Sequence, residues 1–260
     1  MKNSWVNKII RAQNEVTDKH QKDAENQLAQ YYTVAADKAI QELEAVYSKT
    51  LLAVSEGEKP IPADLYKSDR YWQAQGALKR ELQALGDKQI SLLTKQLKGE
   101  FFDIYNSFSL EGEEPVSTLN KADMEQMIQA SWVADGKTYP QRVWDNISRL
   151  QETLNEELVH YATSGRQSVE LRDILQERFN ISYRRADTLV RTELAHIQTE
   201  AAKKSYEDYG IQYVAVEVIL DERTCEECAA LDGEIFPIHA APMLPLHPNE
   251  RCYLIPVYDI

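Results

Sequence analysis

The stretch "YVAVEVILDERTCEEC", residues 213–228, is where the chain changes character. Its first half alternates. Val214, Val216, Val218 and Leu220 fall on one side of an extended backbone, the period of a half-buried strand. Its second half sets Cys225 and Cys228 two residues apart, with Glu226 and Glu227 between them. Two further short strands are expected downstream, at "EIFPI" (234–238) and "CYLIPV" (252–257). Residues 211–260 therefore read as a small β-rich module.

Upstream the period is helical. Residues 1–56 hold no glycine or proline and space apolar residues as helices do, from Trp5 and Ile9 to Leu43 and Val46, so one or two long helices are expected. Gly57, Pro60 and Pro62 mark a loop near 56–62. A helix is expected over Ala63–Leu85, closed by Gly86, and another over Lys88–Phe108 with Ile90, Leu93, Leu97, Phe101 and Ile104 on one face. A loop at 110–117 follows, then a shorter helix capped by Asn120 and running to Trp132. Asp135-Gly136 marks a turn in the loop at 133–139. Pro140 suits the first turn of the next helix, which stops near Gly165. Helices over Ser168–Phe179 and Ser182–Tyr209 complete the set, the last closed by Gly210. The expected fold is mainly α with a small C-terminal zinc-stabilised β-rich module: a helical domain over 1–210 and the module over 211–260.

Charge narrows the function. The net charge is −13, which disfavours a sequence-independent nucleic-acid binder, because phosphate contacts need clustered cations. The last fifty residues carry nine acidic side chains against Arg223 and Arg251. No apolar run approaches the ~20 residues that cross a bilayer, and the N-terminus has no apolar segment of signal-peptide type. Folding in a cytoplasm is expected.

All three cysteines lie in the module: Cys225, Cys228 and Cys252. An odd count without a secretion signal is a poor disulfide framework. With His247 the spacing is C-x2-C, eighteen residues, then H-x4-C. Two donor pairs at turns fit the tetrahedral sulfur and nitrogen shell of Zn²⁺. A module of this size has little core, and a metal makes up such a shortfall. Two other readings of the pair stand beside it. A redox C-x-x-C needs positive neighbours to lower the thiol pKa, and Glu226 and Glu227 act the other way. Inert or oxidised cysteines are the second alternative. A catalytic zinc keeps an open coordination position. Four donors are available here, and neither the H-x-E of a deaminase nor H-E-x-x-H is present.

With these residues placed, the chain resembles the tailed-bacteriophage head-morphogenesis, or minor head protein, family. The resemblance rests on "DERTCEECAALDGEIFPI", the gap "APMLPL", and "HPNERCYLIPV". It extends upstream to "RTELAHIQTEAAKKSYEDYGI" and "DGKTYPQRVWDN", covering about residues 132–260. One position departs from the pattern. The family's H-P-N-C-R-C has Glu250 at its first cysteine, and Glu250 offers an oxygen in that place. The resemblance implies a structural protein of the virion, placed near the portal vertex of the phage head. The phage portal protein would be its partner, together with other head proteins, and its role would lie in capsid assembly and DNA packaging or ejection. It implies no enzymatic activity, no small-molecule substrate and no membrane. Some relatives carry added enzymatic modules after the shared block; with Ile260 four residues past Pro256, none is expected here.

Two rival functions remain as expectations. One is a zinc-dependent hydrolase or nuclease acting in packaging. The other is a packaging accessory that touches DNA through Arg184, Arg185, Arg191, Lys203 and Lys204, a set diluted by Asp187, Glu193 and Glu200. Arg191 or Glu193 is expected either to brace the metal loop through Asp221, Asp232 or Arg223, or to lie on a solvated face. Trp132 and Trp144 are expected to pack a helix–turn–helix corner. Trp5 and the first helix offer a possible partner face.

Overall fold

A computed structural model describes residues 4–53, 61–109, 114–164, 168–222, 224–248, 250 and 252–258. Residues 56–60 of the expected loop at 56–62, residues 110–113 of the expected loop at 110–117, Gly165, Arg223, Asn249 and Arg251 lie outside the described residues. The helices are α1 (Ser4–Ala53), α2 (Pro62–Tyr66), α3 (Asp69–Ser107), α4 (Lys121–Gln129), α5 (Tyr139–Ser164) and α6 (Ser168–Asp208). The order then runs β1 (Tyr213–Val218), α7 (Glu226–Leu231), β2 (Ile235–Pro237), a 3-10 turn at Ile238–Ala240, and β3 (Cys252–Val257). No helix among the described residues is long and apolar enough to cross a membrane.

The described chain divides into two compact units. One gathers Met1–Glu25, Leu93–Tyr139 and Thr188–Ile260; the other gathers Asn26–Leu92 and Pro140–Asp187.

In the second unit, two expected helix breaks are absent, for physical reasons. Gly86 lies inside α3 rather than after it. A Cβ placed there would sit 2.6 Å from Cζ3 of Trp144, so the glycine makes room for an indole. Ser182 looks like a cap yet lies within α6, fully in the core. Its hydroxyl meets Tyr32 Oη at 3.2 Å, and its carbonyl accepts from Asn146 Nδ2 at 3.0 Å. These tertiary partners hold the helix through a point where its own sequence suggests an end. Around them the core is aliphatic: Leu28, Leu43, Leu78, Leu82, Leu154, Leu158 and Leu175 are all 0% exposed.

In the first unit, several expected local devices are present. Asn120 caps α4, its side chain accepting from Ala122 N at 2.9 Å. Gly210 closes α6 with φ +77°. Its N–H bonds the Glu207 carbonyl and the next N–H, of Ile211, bonds the Tyr206 carbonyl, which is the Schellman arrangement.

The sheet has order β2-β1-β3, antiparallel throughout. Val214 pairs with Phe236 and Pro256, and Val218 pairs with Cys252. Strand β1 buries Val214, Val216 and Val218, as the alternation predicts. Strand β3 is buried on both faces from Cys252 to Pro256. Tyr206 of α6 donates to the Leu254 carbonyl at 3.0 Å, and the Tyr253 hydroxyl donates to Asn14 of α1. Trp5, near the start of α1, meets Tyr258 edge-on at 5.2 Å. On β2, Glu234 and Ile238 bond to β1's side, which turns Ile235 and Pro237 outward. Proline carries no N–H, so the free edge is a poor template for another strand.

Candidate metal centre

The segment between β1 and α7 is a turn tied by Thr224. Its hydroxyl accepts from Asp221 N at 2.8 Å and donates to the Ile219 carbonyl at 3.2 Å. The turn delivers Cys225 to the N-cap of α7, where its Sγ accepts from Cys228 N at 3.3 Å. Cys225 and Cys228 thus face the same side of one helical turn. Glu226 and Glu227 fall in that first turn and are exposed. Acidic side chains there complement the unpaired N–H groups of a helix start, which gives the glutamates between the thiols a local role. At the far end, Asp232 Oδ1 accepts from Val218 N at 2.9 Å, and Gly233, at φ +81°, donates to the Val216 carbonyl at 2.8 Å. The helix is therefore tied at its start to the turn that follows β1 and at its end to β1 itself.

His247 arrives from the proline-rich segment. Its Nδ1–H donates to the Pro248 carbonyl at 3.0 Å, leaving Nε2 to face both sulfurs, 3.3 Å from Cys225 Sγ and 3.3 Å from Cys228 Sγ. A carbonyl that holds the distal ring nitrogen fixes a histidine in its ligating tautomer. The Pro248 carbonyl, followed by the Cys225 sulfur, also pushes the imidazole pKa up.

The donors form two overlapping groups, each with its ligand atoms within 4.8 Å of one another: Cys225, Cys228 and His247, and then Cys228, Glu250 and Cys252. Cys228 belongs to both. Burial, then the Cys225 side chain, pushes the Cys228 thiol up to about 12. The Cys228 N–H draws Cys225 the other way, below the ordinary thiol value. Burial and then the Glu250 carboxylate raise Cys252. Cysteine sulfur and neutral imidazole nitrogen are the donors that zinc takes in closed sites, so the residues present fit the ion. The four sequence-selected residues fall in these two groups, joined through Cys228, and Glu250 belongs to the second.

The helix carrying "RTELAH" reaches the proline-rich segment through a residue that the sequence reading did not select. His196 donates from Nδ1 to the Leu244 carbonyl at 3.0 Å. Burial lowers its pKa to about 4, so the ring is neutral. Trp132 stacks on it, with centroids 4.2 Å apart and planes 11° from parallel, and donates its Nε1–H to Glu193 Oε2 at 2.9 Å. Trp132 therefore clamps the His196 turn of α6. Arg191 lies 3.9 Å from Glu25 of α1. Helical spacing alone gives no sign of the histidine's role. The signal available was proximity in the quoted motif, where Glu193 and His196 sit one turn apart.

The comparisons with known proteins agree with this region. Residues 152–254 match the family described as Phage Mu protein F like protein. No curated protein and no solved structure matches the chain. The matched segment runs from within α5 through α6 and the sheet and includes every donor of the cluster. Over these residues the chain is similar to the phage Mu protein F-like family, a family of phage head-morphogenesis proteins.

Proposed function

We propose that this chain is a structural minor head protein that docks on the portal of its phage and acts in assembly and filling of the head. The observation that supports this reading most is the family match over 152–254, a segment that holds helix, sheet and the thiol–histidine cluster. The cluster holds a structural Zn²⁺ through Cys225, Cys228, His247 and Cys252. Such an ion supplies a cross-link and no reaction. The chain's own residues do the rest. Thr224 ties the start of the C-x-x-C helix to the preceding turn, Asp232 fixes its end to β1, and His196, stacked on Trp132, ties the incoming His247 segment to α6. The module then holds its exposed apolar side chains, among them Leu220, Ile235, Met243 and Leu246, in a fixed array for a partner.

The test is co-purification of the full chain with the portal protein encoded in the same genome, in the presence of zinc. A complex that persists at moderate salt is expected, since apolar contact is weakly screened. Failure of the folded, zinc-loaded chain to bind the portal contradicts the reading. Steeply salt-dependent binding to DNA would instead support the packaging-accessory function.

A further inference from the structure

The proposed zinc centre has more donors than a tetrahedral ion has places. Cys225, Cys228 and His247 form one group, and two side chains compete for the place beside Cys228. Cys252 is one of them. Glu250 is the other, and its setting is unusual for a carboxylate. It is only 9% exposed. Its Oε2 accepts from the backbone N–H groups of Leu246 and His247, so it ties the turn that carries the histidine. Its Oε1 is buried and has no hydrogen-bond partner among the described residues. A buried anionic oxygen without a partner is costly unless a cation meets it. The atoms grouped with this carboxylate are the sulfurs of Cys228 and Cys252, and Cys228 is shared with Cys225 and His247.

Resting on the zinc reading, we propose that Glu250 is itself a metal ligand, sharing the fourth place with Cys252. Zinc accepts carboxylate oxygen as well as sulfur. A carboxylate and a thiolate carry the same charge, so exchanging one for the other leaves the charge of the shell unchanged. The centre is then redundant at this place and fixed at the other three. Cys225→Ser removes a donor that has no substitute. Loss of Cys252 leaves Glu250 to take its position.

Zinc affinity of the full-length chain, measured by competition with a chromophoric chelator, tests this. Cys252→Ala and Glu250→Gln are compared with the double variant. Glutamine keeps an oxygen to accept the two backbone N–H groups, so it separates the turn from the ligand. Each single change is expected to weaken binding by less than about tenfold. The double change is expected to exceed the roughly 100-fold limit of losing an outer-shell partner. A third variant, Cys252→Ala with Glu250→Cys, is expected to restore binding to within about tenfold of wild type, which separates loss of a ligand from loss of the fold. A double variant that binds no more weakly than Cys252→Ala overturns the proposal and leaves the three-sulfur reading standing. Wild-type protein that takes up no zinc overturns both.

Discussion

The aliphatic second unit and the last fifty residues are built on different principles. The unit over 26–92 and 140–187 repeats one simple device, leucines at helical spacing sealed to 0% exposure. Its stability is spread over many equivalent contacts. Among the described residues the C-terminal module has three short strands and a six-residue helix, and a few polar contacts tie its segments: those of Thr224, Asp232 and His196 and the thiol–histidine cluster. A distributed core degrades gradually when it is damaged. A module built on a few anchors fails at once when the central anchor goes.

The largest expected effect lies at that anchor. Structural zinc contributes on the order of 10 kcal/mol of apparent folding free energy in small modules. Cys225→Ser is expected to release the ion and to expose the strands of the module to hydrogen exchange, while the amides of 26–46 and 70–92 stay protected. Loss of protection throughout, or none anywhere, would erase the contrast between the regions.

A truncation in the aliphatic unit gives the counterpart. Leu82 is 0% exposed, and Leu82→Ala is expected to cost about 2–5 kcal/mol in chemical denaturation, with zinc content unchanged.

The third prediction concerns pH. Glu100 is fully buried, and burial raises its pKa from 4.5 to about 8, against the lowering effect of Thr17 and with Asp103 adding to the rise. Thr17 Oγ1 lies 2.6 Å from Glu100 Oε1 and 3.1 Å from Gln198 Oε1, and its one hydrogen cannot serve both acceptors. A protonated Glu100 supplies the second hydrogen. The unfolded chain gives up this proton above pH 4.5, while the folded chain keeps it to about pH 8. The contribution is therefore complete below the lower value and is lost as pH rises through the window. The slope is at most about 1.4 kcal/mol per pH unit. Glu100→Gln is expected to gain stability relative to wild type on going from pH 5 to pH 8. A difference that stays constant with pH would mean that the carboxyl ionises normally.

The smallest effect is at Gly86. Alanine there gains about 1 kcal/mol of helix propensity, but its methyl meets the Trp144 ring at 2.6 Å. Overpacking costs about 1–3 kcal/mol, so Gly86→Ala is expected to lower the melting temperature slightly. Trp144→Leu in the same background should reverse the sign.

These cases show what the sequence made legible. Local signals with a local cause were readable: the Asn120 cap, the Gly210 closure and the alternation of β1. Gly86 and Ser182 misled because their neighbours, Trp144 and Tyr32, are distant in sequence and override the local preference. The short helix α7 was hidden inside the C-x-x-C itself, where a cysteine does the work usually given to serine or aspartate. His196 and the buried face of Glu250 depend on where the proline-rich segment comes to rest, which no spacing rule encodes.

The most direct test of the account is elemental analysis of the purified full-length chain, read together with the oxidation state of its cysteines. The account predicts one zinc per chain, all three thiols reduced, and loss of the metal in Cys225→Ser. A metal-free protein with Cys225 and Cys228 joined in a disulfide would contradict it.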